Sequence, residues 1–186
     1  MRLFFAVDID RDTNTCVNQA IARLRQIDPS VKWVKPENHH VTLYFFGETD
    51  EAAKGSVESV LEGATRGVKP FRIRVEGISA FPTVDRPRVF WIGIENSGGE
   101  LAMVFESIGA AVRGERLPVN VEERNFTPHL TIGRAKQRCS PALIQEVKKG
   151  GETAFGEFEV GAMVLYQSVL RREGPLYTPL KSITLS

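Results

Sequence analysis

The sequence predicts an α+β fold of two similar lobes, each with an antiparallel sheet and flanking helices, related by a pseudo-two-fold duplication around a central cleft. Two observations support this prediction. Strand-like and helix-like patterns recur in the same order in both halves of the 186-residue chain. A motif of histidine, apolar residue, threonine and apolar residue occupies residues 40–43 and recurs at residues 129–132, 89 positions later. That spacing is too large for a solenoid, so we expect one bilobal domain over residues 1–186.

The first half of the chain alternates strand-like and helix-like segments. A short apolar run predicts a buried strand, and apolar residues at helical spacing predict helices, the first of which ends at Pro29. Alternation of apolar and charged residues predicts a half-exposed strand before the midpoint. The expected strands cover residues 3–7, 31–34, 40–46 and 71–76, and the expected helices cover residues 17–24 and 53–64. A turn at residues 36–38 leads into the first motif strand.

The second half repeats this order. Ser140 and Pro141 are typical of a helix start, because serine caps the first turn and proline is tolerated at the first helical position. Gly150 and Gly151 are typical of the end of that helix. The expected strands cover residues 89–94, 129–133, 158–164 and 180–185, with a short extended piece at residues 119–121, and the helices cover residues 101–112 and 141–149.

The composition excludes some classes of function. A net charge of +1 argues against a broad basic surface for long nucleic acids, although it leaves room for a local phosphate site. Cys16 and Cys139 lie at no metal-binding or redox spacing, and we expect both to be reduced. The apolar run at residues 3–7 is too short for a signal peptide or a membrane span. We therefore expect a cytoplasmic protein with no membrane association and no obligate protein partner.

The two motifs offer matched chemical groups. Because side chains alternate along a strand, His40 shares a face with Thr42, and His129 shares a face with Thr131. Two imidazoles that face one phosphorus atom can take a proton from water and give a proton to a leaving oxygen. Threonine hydroxyls can donate to phosphate oxygens. Two histidines without a nearby carboxylate or cysteine cluster make a poor ligand set, so no metal is expected.

The residues around both motifs resemble a known family. The segments Trp-Val-Lys-Pro-Glu-Asn at residues 33–38, then residues 40–48 and residues 126–134, are similar to the 2H phosphoesterase superfamily. Within it they resemble the RNA 2′,3′-cyclic phosphodiesterases, also called the LigT-like or 2′-5′ RNA ligase family. The first seven residues and the segment at residues 174–177 also resemble the ends of that family. The resemblance covers essentially the whole chain, and the doubled motif with these flanks makes it specific.

The resemblance implies a bilobal α+β fold and a specific reaction. The family hydrolyses RNA or nucleoside 2′,3′-cyclic phosphates to 2′-phosphates without a metal or another cofactor. Carried onto this sequence, His40 would protonate the departing 3′ oxygen and His129 would activate the water. Thr42 and Thr131 would bind phosphate oxygens, and the partner would be an RNA end or a nucleotide that carries a 2′,3′-cyclic phosphate. Two alternatives stay open: ligation of RNA halves through a 2′-5′ linkage, and a non-catalytic module that binds RNA ends.

Arg134 follows the second motif and is a further candidate for substrate binding. A guanidinium can bind phosphate or stack on a base. Strict alternation turns Arg134 to the face away from His129, and only a bulge or strand end at Gly133 would bring it round. The first motif has Phe45 at the equivalent position, so the predicted site is not symmetric.

Other residues near the motifs are expected to pack or to line the rim of the cleft. Tyr44 and Phe46 share the parity of His40, and they could line the cleft or pack in the core. His39 has the opposite parity, so we expect it to pack. The two tryptophans, Trp33 and Trp91, are expected in the core or at an interface. A weak basic rim for RNA ends could form from Lys32, Lys35, Lys136 and Arg138.

Overall fold

The computed structural model describes residues 1–119, 126–172 and 174–186. Within these ranges the chain forms nine strands and four α-helices, which confirms the α+β class. The strands are β1 (Arg2–Asp8), β2 (Lys32–Trp33), β3 (His40–Glu48), β4 (Phe71–Thr83), β5 (Arg86–Glu95), β6 (His129–Arg134), β7 (Ala154–Val160), β8 (Ala162–Arg171) and β9 (Gly174–Thr184). The helices are α1 (Arg11–Ile27), α2 (Lys54–Thr65), α3 (Glu100–Gly114) and α4 (Pro141–Lys149). Of the extended piece predicted at residues 119–121, residues 120 and 121 lie outside the described ranges.

All nine strands of the described residues pair antiparallel in a single sheet. The strand order is β7-β4-β5-β6-β3-β1-β8-β9, and β2 pairs with β6. The motif strands β3 and β6 are therefore neighbours at the centre, where Val41 lies opposite Leu130. Because the two central strands adjoin, both motifs lie on the same part of the sheet. The pseudo-two-fold duplication itself stays a prediction.

The strands on either side of the central pair do not all come from the same half of the sequence. Strand β4 belongs to the first half but pairs with β5, and β8 belongs to the second half but pairs with β1. Only residues 84 and 85 separate β4 from β5, and a two-residue connection favours pairing of the two strands that it joins. The local hairpin therefore links the two halves of the chain.

The buried face of β3 packs against helix α3. Val41 and Leu43 are buried, and the ring of Tyr44 lies 5.6 Å from the ring of Phe105 in α3. The apolar residues of α3 recur at helical spacing, so one face of the helix meets the sheet. Helix α2 contacts α3, and α1 contacts α4. Helix α3 thus covers the side of β3 opposite to His40, which leaves the histidine side open.

Several boundaries differ from the sequence prediction. Helix α1 begins at Arg11, because the Asp10 carboxylate accepts hydrogen bonds from two backbone N–H groups of the first turn. The strand expected at residues 158–164 is divided at Gly161, and its parts β7 and β8 lie on opposite sides of the central pair. Alternation continues through the break, so the pattern gave no sign of it. Strand β9 begins at Gly174, well before the expected residue 180, because its first residues already pair with β8. These residues have no alternating apolar pattern, so the sequence did not predict them as a strand.

Two expectations from composition can be compared with the structure. Cys16 is exposed, Cys139 is buried, and both are free thiols. Among the described residues, no helix combines the length and the apolar character needed to cross a membrane.

Candidate active site

His40 and His129 line the same cavity. It has a volume of about 660 Å³, which lies in the usual range for sites that bind small molecules. Thr42 and Thr131 line it too. In the part of the chain that the structure describes, neither threonine hydroxyl has a hydrogen-bond partner, so both can donate to a ligand. The structure thus brings the four motif side chains together, as the alternation along each strand predicts.

Both histidines are oriented by the backbone two residues earlier. The Nδ1 atom of His40 lies 2.9 Å from the carbonyl oxygen of Asn38, and Nδ1 of His129 lies 2.7 Å from the carbonyl oxygen of Thr127. A carbonyl oxygen only accepts, so each Nδ1 carries the hydrogen and donates it. In the neutral ring the lone pair is then on Nε2. No described residue makes a hydrogen bond to either Nε2, so each Nε2 can take a proton, or give one when the ring is charged.

Each imidazole also packs against two aromatic rings. The centre of the His40 ring lies 4.8 Å from that of Phe4 and 5.1 Å from that of Tyr177, whose ring is nearly perpendicular to the imidazole. On the other side of the site, the His129 ring lies 5.3 Å from Phe81, and Trp91 lies next to both of these rings. Packing of this kind restricts ring rotation, and therefore fixes the direction of each Nε2.

The surroundings of His40 favour its neutral form. Burial lowers the pKa of His40 from 6.5 to about 4, because the charged imidazolium loses water. The hydrogen bond to the Asn38 carbonyl opposes this effect, and the nearby His39 and His129 rings add to it. His40 is therefore neutral at pH 7 in the free protein. A bound anion would favour the imidazolium and raise this pKa.

A bulge turns Arg134 into the cavity. In the pairing of β5 with β6, Phe90 lies opposite Gly133 and Trp91 lies opposite Thr131, so Ile132 has no partner of its own. The extra residue reverses the alternation beyond it. Arg134 therefore lies on the side of His129 and lines the cavity. Its charge also opposes the rise that burial causes in the pKa of Tyr177, a residue that lines the same cavity.

A matching bulge decides the positions of the aromatic residues on β3. In the pairing of β1 with β3, Phe5 lies opposite Tyr44 and Ala6 lies opposite Thr42, so Leu43 is the extra residue. Beyond it, Tyr44 and Phe46 are buried in the core and do not line the cavity. Phe45 lines the cavity instead. The site is asymmetric, with an aromatic ring where the second motif has a guanidinium.

Most of the chain matches the sequence pattern of a known family. The family model described as the 2′-5′ RNA ligase superfamily matches residues 15–171. The chain belongs to the 2′-5′ RNA ligase superfamily.

Relatives within this superfamily match nearly the full length. The RNA 2′,3′-cyclic phosphodiesterase of Archaeoglobus fulgidus is 38% identical over 183 residues, which cover 97% of this chain and 98% of the relative. The protein of the same name from Aquifex aeolicus is 33% identical over 176 residues, 93% of each chain. The crystal structure of TT0787 of Thermus thermophilus matches with a TM-score of 0.83 and 29% identity over 100% of this chain and 98% of that one. E. coli LigT complexed with 3′-AMP, at 24% identity and a TM-score of 0.77, shares the fold over 100% of this chain and 98% of its own.

The histidine and the two tryptophans that were expected to pack near the site do so in this superfamily member. His39 is buried, and its Nδ1 lies 2.7 Å from the amide oxygen of Asn14. Trp33 is buried and donates from Nε1 to the carbonyl oxygen of Asp28, although its ring also lines the cavity. Trp91 is half-buried and stacks on Phe81 at 4.9 Å.

The predicted basic rim of the superfamily member is only partly formed. Lys32 and Lys35 line the cavity. Lys136 and Arg138 are exposed, and they are not among the described residues that line it. Within the same described ranges, no group of three or more His, Cys, Asp or Glu side chains could hold a metal ion.

Sequence reasoning missed two kinds of residue at the site. The first kind is the pair of carbonyl groups at Asn38 and Thr127, which orient the motif histidines. Both lie two residues before a motif histidine, so their matched spacing was a usable signal. The second kind is an aromatic contact across strands, such as Phe4 and Tyr177 against His40. No local pattern indicates which residues of β1 and β9 will meet β3.

Proposed function

We propose that this protein hydrolyses RNA or nucleoside 2′,3′-cyclic phosphates to 2′-phosphates, with His40 and His129 as a metal-independent acid–base pair. The observation that carries the proposal is the matched orientation of the two imidazoles. Each donates from Nδ1 to a backbone carbonyl, lines the same cavity, and has no hydrogen-bond partner for Nε2 among the described residues. The two relatives named RNA 2′,3′-cyclic phosphodiesterase support the choice of substrate.

The reaction needs two proton transfers. Nε2 of His129 accepts a proton from water while the water oxygen attacks phosphorus. The bond between phosphorus and the 3′ oxygen breaks, and Nε2 of His40 gives its proton to that oxygen. The phosphate stays on the 2′ oxygen. The hydroxyls of Thr42 and Thr131 donate to the non-bridging oxygens, and Arg134 balances their negative charge.

The unequal shape of the cavity supports His40 as the acid. In an in-line displacement the leaving oxygen and the attacking water lie on opposite sides of phosphorus. The leaving oxygen belongs to the ribose, so the acid must lie on the nucleoside side. The cavity extends on the side of His40 over β1, β8 and β9, where Phe4, Ser168 and Tyr177 line it. A nucleoside has room there, next to His40.

The low pKa of His40 is consistent with this role when substrate is bound. A general acid must be protonated before the transfer, and His40 is neutral in the free protein at pH 7. The cyclic phosphate carries a negative charge. Its arrival favours the imidazolium and raises the pKa of His40, so the acid gains its proton with the substrate.

Ligation is a second candidate, because the matching family model is described as the 2′-5′ RNA ligase superfamily. A ribose hydroxyl of a second RNA would take the place of water, and the same two histidines would move the protons. A non-catalytic module that binds RNA ends is less favoured, since binding alone does not need two oriented imidazoles. Incubation of two RNA halves, followed by mapping of any linkage that forms, tests for ligation.

The proposal is tested with adenosine 2′,3′-cyclic phosphate in excess EDTA. We expect conversion to the 2′-phosphate, identified by ³¹P NMR. A His129→Gln variant purified in the same way controls for a contaminating nuclease. Formation of the 3′-phosphate alone would contradict the proposed position of the acid, and absence of any turnover would favour the binding module.

A further inference from the structure

The tip of the β8–β9 hairpin carries exposed apolar side chains that face the cavity. Leu170 is 69% exposed and Leu176 is 41% exposed, and both line the cavity together with Arg171. In the hairpin, Leu170 lies opposite Pro175, and Arg171 lies opposite Gly174. When an apolar surface covers leucine side chains at this exposure, the free energy of the system falls. The position of the leucines in the cavity indicates that a ligand, and not the core, supplies this surface.

The hairpin tip is held next to the proposed catalytic site. Leu176 precedes Tyr177, whose ring lies 5.1 Å from the ring of His40. The side chain of Asn38 donates to the carbonyl oxygen of Pro175 at 3.4 Å. The backbone carbonyl of the same Asn38 orients His40. The two leucines therefore lie on the same cavity lining as His40, the proposed acid.

The lining of the cavity is cationic, although the whole chain has a net charge of only +1. Of the described side chains that line it, only Glu37 is acidic, and the basic ones are Arg2, Lys32, Lys35, Arg134 and Arg171. Arg134 lies next to the motif threonine on β6, whereas Arg171 lies on β8, three strands away in the sheet order. Five basic side chains against one acidic side chain carry more charge than the single negative charge of a cyclic phosphate. The charges thus fit a ligand with more than one phosphate group.

We propose that Leu170, Arg171 and Leu176 form a subsite for the nucleotide on the 5′ side of the cyclic phosphate. This proposal rests on the function proposed above. The base and ribose of that nucleotide pack on the two leucines, and Arg171 binds the phosphodiester that joins it to the terminal nucleotide. The preferred substrates are then RNA ends of two or more nucleotides, and a mononucleotide lacks the contacts with the hairpin.

The hairpin supplies matched controls for a test. Val169 is 43% exposed, adjoins Leu170 and lies opposite Leu176 in the strand pairing, but it does not line the cavity. Arg172 is exposed and adjoins Arg171, and it does not line the cavity either. Leu170→Ser is therefore compared with Val169→Ser, and Arg171→Gln with Arg172→Gln. Each pair has the same kind of chemical change in the same hairpin.

The substrates are adenosine 2′,3′-cyclic phosphate and the dinucleotide ApA with a terminal 2′,3′-cyclic phosphate. We expect the parent protein to prefer the dinucleotide in kcat/KM. Leu170→Ser should lower kcat/KM for the dinucleotide by about 3- to 10-fold, since a base covers part of a leucine, and should leave the mononucleotide rate unchanged. Val169→Ser should leave the mononucleotide rate unchanged and lower the dinucleotide rate less than Leu170→Ser does, because Val169 does not line the cavity.

The charge is tested by the salt dependence of binding of the dinucleotide product. Arg171→Gln should reduce the slope of log Kd against log salt by about 0.7, the loss of one phosphate contact on a single strand. Arg172→Gln should keep the parent slope.

The proposal is overturned if the parent hydrolyses both substrates with equal kcat/KM, or if Leu170→Ser lowers both rates equally. It is also overturned if Leu170→Ser leaves both rates at the parent value, in which case the leucines serve another partner such as a protein or a membrane. A parent protein that hydrolyses neither substrate would instead refute the proposed function, and the mononucleotide reaction separates these cases.

Discussion

His40 should titrate far below an ordinary histidine in the free protein. Burial between Phe4 and Tyr177 lowers its pKa from 6.5 to about 4. At pH 6.5, where an ordinary histidine is half protonated, only roughly 1 in 300 molecules would then carry a protonated His40. Tyr177→Ala opens one side of the ring to water. Since loss of water is the largest cause of the shift, this change should raise the pKa of His40 toward 6.5.

The titration can be followed through the ring signals of His40 in NMR spectra recorded between about pH 3.5 and 8. Phe81→Ala is the matched control, because Phe81 packs against His129 and not against His40. It should leave the pKa of His40 unchanged. Inorganic phosphate bound in the cavity should raise that pKa, since an anion favours the imidazolium. A His40 that titrates near 6.5 in the unmodified protein, or that keeps its pKa in Tyr177→Ala, would refute this account of the site.

Three further predictions concern single substitutions. A Cβ on Gly133 would lie 2.7 Å from Cε3 of Trp33, so Gly133→Ala should lower the free energy of unfolding in urea by about 1–3 kcal/mol, whereas Gly151→Ala, with open space around its Cβ, should not. His40→Ala and His129→Ala should each lower kcat by at least ~10²–10⁴-fold without unfolding, while His39→Ala should keep most of the parent rate, and the reverse order would refute the assignment. Thr42→Ala and Thr131→Ala should each lower kcat/KM less than either histidine change, because each removes one phosphate donor and leaves both proton transfers in place.

The face of each motif residue could be predicted from the sequence. His40 and Thr42 lie toward the cavity, and Val41 and Leu43 are buried, because alternation is a local property of a strand. The same argument placed His39 among the packed residues. Alternation was a sufficient guide up to the fourth residue of each motif.

The residues beyond each motif could not be placed by alternation. A bulge arises from the register between neighbouring strands, which depends on contacts far apart in sequence. The bulge at Leu43 buries Tyr44 and turns Phe45 to the cavity, and the bulge at Ile132 turns Arg134 there. Gly133 was a signal for the second bulge, since an isolated glycine in a strand often marks one.

The pairing of strands from different halves of the chain could not be predicted from sequence patterns either. Two lobes were predicted from the repeated order of elements, but the short β4–β5 connection pairs strands from different halves. The contact of Tyr177 with His40 depends on this kind of pairing, because β9 reaches the site only through β8 and β1. Local periodicity contains no information on it.

The central claim is that two histidines carry the proton transfers without a metal. It is tested most directly by kcat/KM for a 2′,3′-cyclic phosphate from about pH 3.5 to 9 in excess EDTA, for the parent, His40→Gln and His129→Gln. We predict a profile for the parent that rises and then falls, with the rising limb below the ordinary histidine range because of the low pKa of His40, and limbs that belong to the coupled pair. Each glutamine variant should lose most of the rate and one limb. A parent rate that climbs steadily to high pH, or that is abolished by EDTA and restored by a divalent ion, would contradict the two-histidine account.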